Sequence, residues 1–270
     1  MQQYLIFIDF SSAFDGIDHQ LLIDKIIHKG KCSKETLNLL KWYLNHINIR
    51  INEDMIMLNK GSPQGCRSSP ILWILYIDDL LDELENMADL RNVFAFADDL
   101  MIYCRSLPLA YKVVRAILKW SQDNKIKVNT KKSAILPLAK TKRKTDKFDK
   151  SILNVPYVTT YKYLGITFDY TMKFRQTLEN TTKIVRNMNN YKVLGKSNMS
   201  LTQRLQICKT YFHSKILYPL MVLSMINKIS ADKNHFPNFN VFQEHLRAKQ
   251  TAVQRSHVWL APGTIASGKI

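Results

Sequence analysis

Two adjacent aspartates, Asp98 and Asp99, separate the short apolar segments Val93–Ala97 and Leu100–Tyr103. This feature constrains the fold most. Segments joined by so few residues pair as a tight antiparallel hairpin, and their apolar side chains demand a covered sheet. Acidic residues suit turns, but a second carboxylate stands in a similar place. Asp9 ends the apolar run Tyr4-Leu5-Ile6-Phe7-Ile8, which reads as a buried strand. Burying unpaired carboxylates costs several kcal/mol unless something positive joins them. No Lys or Arg adjoins either position along the chain, so a divalent cation is the expected partner.

Carboxylate oxygens are hard ligands, and the ion they suit is magnesium. Two such ions about 3.5–4 Å apart are the arrangement phosphoryl transfer to a 3′-hydroxyl requires. The pattern therefore points to a nucleotidyl transferase.

Charge distribution adds a second constraint. Residues 1–100 carry nine Lys/Arg against fifteen Asp/Glu, and residues 101–270 carry thirty against seven. An acidic first part followed by a part at +23 fits a metal-binding site joined to a surface for polyanions. With 46% hydrophobic and 10% aromatic residues, the chain is globular rather than disordered. No uninterrupted apolar run is long enough for a membrane span. Cys32, Cys66, Cys104 and Cys208 lie far apart without CxxC pairing, which excludes a zinc or disulfide framework and implies reduced, intracellular thiols.

Along the chain, Asp18 caps a helix bearing Leu21, Leu22, Ile26 and Ile27, and a second helix runs from Ser33 to Asn45. Ile47–Leu58 alternates as a hairpin, and Gly61–Ser69 is a loop closed by Pro70 in the first turn of a helix reaching Met87. Leu109–Asp123 is an amphipathic helix, 140–150 a cation-rich loop, Val158–Phe168 a strand segment, and Thr171–Ile226 mainly helical. The order predicts an α+β chain: an antiparallel core sheet with packed helices, followed by a helical tail.

Five motifs in this order resemble those of reverse transcriptases, most nearly the non-LTR (LINE-like) retrotransposon type. Asp9-Phe10-Ser11-Ser12-Ala13-Phe14-Asp15, with His19 four residues on, resembles motif A. Gly61-Ser62-Pro63-Gln64-Gly65, continuing to Ser69-Pro70, is similar to motif B, and Phe96-Ala97-Asp98-Asp99 to motif C. Asn129-Thr130-Lys131-Lys132-Ser133 resembles the end of motif D, and Tyr163-Leu164-Gly165 motif E, the primer grip. The motifs cover residues 4–170; group II intron maturases are related to the same pattern.

The resemblance implies a polymerase palm over residues 1–170, a helical thumb over 171–228 and an extension over 229–270 of unassigned structure. It implies RNA-directed DNA polymerase activity with Asp9, Asp98 and Asp99 holding two Mg²⁺ ions, Mn²⁺ substituting. Phe14 would reject a ribose 2′-hydroxyl, Gln64 and Gly65 would contact incoming nucleotide and template, and Lys132 or its neighbour Lys131 would serve leaving pyrophosphate. Tyr163, Leu164 and Gly165 would position the primer, while His19 reads as a helix-start residue. Lys173, Arg175, Lys183, Arg186, Lys192, Lys196, Arg204, Lys209 and Lys215 would line a thumb gripping a duplex. The implied partners are an RNA template, a DNA primer and deoxynucleoside triphosphates, with no membrane.

Motif A begins at residue 9, which leaves no room for the fingers that the family places ahead of it. The expectation is a fragment of a longer polyprotein, or fingers on another chain. A domesticated, non-catalytic RNA-binding scaffold on the same fold is an alternative. An RNA-dependent RNA polymerase is another, since Asp15 lies six residues after Asp9; Ala-Asp-Asp and Tyr-Leu-Gly count against it.

Overall fold

The computed structural model describes residues 2–30, 32–63, 65–87, 93–139, 151–187, 200–207, 209–210 and 215–221. The chain divides into two units, Met1–Thr171 and Met172–Ile270. The 140–150 loop, the 229–270 extension and Gln64 lie outside the described residues.

The first unit is built on its opening strand. The apolar run at the N-terminus becomes β1 (Gln3–Ser11), with Tyr4 to Ile8 all buried. After the single turn α1 (Ala13–Gly16) come α2 (His19–Lys29), with the expected cap, and α3 (Lys34–Asn45). Asp18 accepts from the Leu21 N–H and Ser33 from the Thr36 N–H. The alternating stretch forms the hairpin β2 (Asn48–Ile51) and β3 (Asp54–Met57). Next is α4 (Ser69–Asn86), with Pro70 in its first turn. Its acidic second half is tied to α2 by ion pairs of Lys25 with Asp79 and of Lys29 with Asp78 and Asp82.

Two strands follow, β4 (Val93–Phe96) and β5 (Asp99–Cys104), then α5 (Leu107–Asp123). The hairpin differs from expectation by one residue. Phe96 pairs with Asp99, so the two turn residues are Ala97 and Asp98 rather than Asp98 and Asp99. The cause is a second partner: Asp99 also pairs with Asp9 of β1, which draws it into the strand. Ala97 takes up the turn with a left-handed φ of 53°.

The sheet order is β4-β5-β1, all antiparallel. The far edge of β1 is shared by two later strands, β6 (Lys127–Val128) and β7 (Ala134–Leu138). β7 pairs along Gln3–Phe7 and β6 along Phe10–Ser11, so the ladder splits at Asp9. After the small hairpin β8 (Ser151–Ile152) and β9 (Val155–Pro156), the 158–168 segment proves to be two strands. β10 (Thr160–Tyr163) and β11 (Ile166–Asp169) are joined by Leu164 and Gly165, at φ 47° and 81°. Positive φ at both residues is what a two-residue type I′ turn demands.

One sheet face packs on helices: Tyr4, Ile6, Ile8, Phe10, Leu100 and Ile102 join Trp73, Tyr76, Val113, Ile117 and Trp120 in a single core. The other face receives the β10–β11 hairpin. There Phe7 stacks on Tyr161 at 4.3 Å and lies 5.6 Å from Tyr163 and 5.7 Å from Phe168 between ring centroids.

In the second unit, α6 (Arg175–Asn187) and α7 (Leu201–Ile207) carry the helical character expected there. Lys173, Arg175, Lys183, Lys209 and Lys215 are exposed. The side chains of Arg186, Lys192, Lys196 and Arg204 lie outside what is described. No helix among the described residues is long and apolar enough to cross a membrane.

Candidate active site

Side chains alternate along a strand, so Asp9 lies on the sheet face of Phe7, the face covered by the β10–β11 hairpin. Its direct cross-strand partner there is Asp99. Paired residues of adjacent antiparallel strands hold their β-carbons about 5 Å apart, and Asp98 occupies the turn immediately before. Three carboxylates predicted to act together are thus brought together, all half-buried.

The electrostatics follow from this crowding. Burial first, then the charges of Asp98 and Asp9, push the Asp99 carboxyl above its ordinary value, while Lys132 pulls it down. Tyr161, across the hairpin, responds to the same field. Burial, then Asp99 and Asp9, raises its phenol to about 12.

The split in the ladder explains how Lys132 reaches the site. Between β6 and β7 the chain makes a turn over Asn129–Ser133, closed by the Lys132 and Ser133 N–H groups donating to the Asn129 carbonyl. The Asn129 N–H donates to the Asp9 carbonyl at 2.8 Å, and the Asp9 N–H donates to Ser133 Oγ at 3.1 Å. Asp9 therefore has an acid on one flank and a lysine-bearing turn on the other. Of the two lysines left open by the motif, Lys132 is the one whose charge acts on Asp99. No local pattern marks Ser133 and Asn129 as anchors of Asp9, because they act across more than 100 positions.

Phe14 is half-buried against the helix-side core, its ring centroid 6.1 Å from that of Trp73. Its carbonyl accepts from the Ser62 N–H, which ties α1 to the 61–69 loop. His19 opens α2, as expected, and also bonds through Nε2 to the Gly61 carbonyl at 2.6 Å. Gly61 adopts φ +86°, and a β-carbon there would lie 3.1 Å from the Asp15 carbonyl oxygen. Gly65 adopts φ +83° with open space around it. Ser62 Oγ donates to Ser69 Oγ, which donates to the Pro63 carbonyl, closing the loop onto α4. Gln64 of that loop lies outside the described residues. Ser68 first, and Tyr43 next, lower the Cys66 thiol to about 7.

Tyr163 is buried against the sheet, its hydroxyl donating to the Asp99 carbonyl at 3.4 Å. Leu164 and Gly165 form the turn beyond it. Trp73, which no motif singled out, is buried with its indole N–H donated to the Ala97 carbonyl at 2.7 Å.

Among the described residues, no three acidic, His or Cys side chains converge enough to enclose a metal ion by themselves. Magnesium is commonly held by one or two carboxylates, with water and substrate phosphates completing its octahedron. The carboxylate oxygens of Asp9, Asp98 and Asp99 are hard donors and fit such an ion in kind.

The chain spans only part of the curated proteins it matches. It is 27% identical over 182 residues to the 115 kDa protein of the type-1 retrotransposable element R1DM of Drosophila melanogaster, covering 64% of this chain and 17% of that protein. It is 20% identical over 260 residues to the RNA-directed DNA polymerase from the mobile element jockey of Drosophila funebris, covering 90% of this chain and 28% of that one. Among solved structures, a telomerase from Candida tropicalis in complex with a fragment of telomeric RNA superposes with a TM-score of 0.49 at 13% identity, over 98% of this chain and 48% of that one. Residues 1–168, well over half of the chain, match the family described as reverse transcriptase (RNA-dependent DNA polymerase). With its carboxylate hairpin set on an antiparallel sheet and relatives drawn from non-LTR elements, the chain belongs to the reverse transcriptase family and is of the non-LTR type.

Proposed function

We propose that this chain is the polymerase core of an RNA-directed DNA polymerase, with residues 1–170 as palm and 171–228 as thumb. It would extend a DNA primer on an RNA template using deoxynucleoside triphosphates. The observation that most supports this reading is the cross-strand pair Asp9–Asp99 with Asp98 in the adjoining turn. Like charges gathered on a half-buried sheet face destabilise a chain that has no use for them.

Asp9, Asp98 and Asp99 would hold two Mg²⁺ ions, with Mn²⁺ able to substitute. When bound, these ions supply charge neutralisation, a lowered pKa for the attacking 3′-hydroxyl and a hold on the triphosphate. The remaining work falls to the protein's own groups. Phe14, backed by Trp73, would fill the space that a ribose 2′-hydroxyl needs. Gln64 would contact the incoming nucleotide, and Gly65, with no side chain in open space, would let a base approach the backbone. Lys132 Nζ would neutralise or protonate the leaving pyrophosphate. The Tyr163-Leu164-Gly165 turn would bear on the primer backbone, and the exposed cations of the second unit on duplex phosphates.

Primer extension with the template and sugar varied tests this reading. The chain, alone or with a fingers segment supplied, is expected to extend a DNA primer on RNA with deoxynucleotides when Mg²⁺ or Mn²⁺ is present, and not in chelator. Extension of RNA primers with ribonucleotides would favour an RNA polymerase. Tight RNA binding without extension under any condition would leave a scaffold.

A further inference from the structure

The turn that carries Asp98 is not at rest by itself. Ala97 holds φ 53°, a left-handed conformation disfavoured for any L-residue with a β-carbon. Such conformations persist only where surrounding structure over-determines them. Ala97 also lies outside the ladder, since the last pair of the hairpin is Phe96–Asp99. What bears on it is the Trp73 indole N–H, 2.7 Å from its carbonyl oxygen.

Trp73 is well placed to impose that geometry. It is 1% exposed, so its N–H cannot exchange the carbonyl for water without cost. Its ring is gripped by Phe10 at 5.7 Å, edge-on, by Tyr76 at 6.4 Å and by Phe14 at 6.1 Å. Phe10 directly follows Asp9 in β1. One side chain from α4 thus links the strand of Asp9, the Phe14 ring and the turn of Asp98.

Resting on the polymerase reading above, we infer that Trp73 is a positioning residue: its N–H clasps the Ala97 carbonyl and holds the turn in the strained form that aims Asp98 beside the Asp9–Asp99 pair. It touches no substrate; it acts through the turn.

The test compares Trp73→Phe, Ala97→Gly and the double variant. A fourth protein carries 3-benzothienylalanine at position 73, which keeps the bicyclic shape and replaces N–H by sulfur. Amide hydrogen exchange of Asp98, Asp99 and Leu100 is read on the chain without substrate. Exchange is expected to quicken about three- to tenfold when the N–H is removed, the worth of one hydrogen bond. In primer extension kcat should fall by a similar factor, with the KM for deoxynucleotide and template–primer affinity unchanged. In the benzothienyl protein, which keeps the ring behind Phe14, sugar discrimination should also be unchanged. Glycine adopts left-handed φ freely, so Ala97→Gly should restore most of the lost kcat on the Trp73→Phe background. It should not restore any melting temperature lost through poorer core packing. Unchanged exchange in the benzothienyl protein, or no recovery by glycine, would overturn the clasp and leave Trp73 a core residue. If the wild-type chain extends no primer even with a fingers segment supplied, the polymerase reading fails, while the exchange measurement still decides the clasp.

Discussion

Replacing Asp99 by Asn should make the metal-free chain more stable. Asp9 and Asp99 are direct cross-strand partners, with β-carbons about 5 Å apart. Two unit charges at about 5 Å repel by roughly 1 kcal/mol in water and about 3 kcal/mol at an effective dielectric of 20. Both residues are only partly buried, so solvent screening places the net penalty near the lower figure, about 1 kcal/mol. Asn keeps the size and polarity of the side chain while removing the charge. For a unit of this size that gain corresponds to about 2–4 °C in melting temperature.

The assay is thermal unfolding at neutral pH and low salt, in chelator and in millimolar Mg²⁺. In chelator Asp99→Asn should melt higher than wild type; added Mg²⁺ should raise wild type more than the variant and close the gap. The pH dependence has a definite sign. The Asp99 carboxyl is raised above its ordinary 3.8 in the folded chain, so the folded state holds the proton more tightly than the unfolded state. Its penalty is absent below 3.8, grows as pH rises and is complete above the raised value. The advantage of Asn should therefore vanish on acidification. A variant that melts no higher than wild type in chelator, or an advantage that persists at acid pH, would show that charge repulsion between Asp9 and Asp99 does not destabilise the folded chain.

Gly61→Ala should cost distinctly more stability than Gly65→Ala. Both share the left-handed penalty of roughly 1–2 kcal/mol, but only at Gly61 does a new β-carbon press on the Asp15 backbone; denaturant melts of the two compare them. Phe14→Val should admit ribonucleotides, read as the ratio of ribo- to deoxynucleotide incorporation, and unchanged selectivity removes the gate role. Asp18→Ala should cost about 1–2 kcal/mol through loss of the α2 cap. Burial alone would raise the Asp18 carboxyl, but Lys125 and the amides at the start of α2 outweigh it and hold it below its ordinary 3.8. Its contribution is complete above that value and fades as pH falls through the lower folded one, so the cost of Asp18→Ala should shrink in strong acid.

Local chemistry made much of this legible. The caps at Asp18 and Ser33, the β1 run and the Pro70 helix start each depend on a few neighbouring residues, and each appears where propensity puts it. What the sequence hides depends on distant partners. Asp99 looks like a turn residue until Asp9 pairs with it. β7 went unread because Ala134-Ile135-Leu136-Pro137-Leu138 shows no alternation and contains a proline; its place is the far edge of β1, where a missing N–H is tolerated. Leu164 and Gly165 sit in what looks like continuous strand, because only backbone geometry reveals a type I′ turn there. The candidate site divides the same way. Its carboxylates carry their own signal, whereas Trp73, Asn129 and Ser133 hold those carboxylates through contacts that no local pattern announces.

Primer extension by wild type and Asp98→Ala, measured side by side on one RNA template and DNA primer, decides whether the aspartates of this palm carry nucleotidyl transfer. The expected result is Mg²⁺-dependent deoxynucleotide addition by wild type, none by Asp98→Ala, and equal RNA binding by both. Equal extension by the two proteins would contradict it.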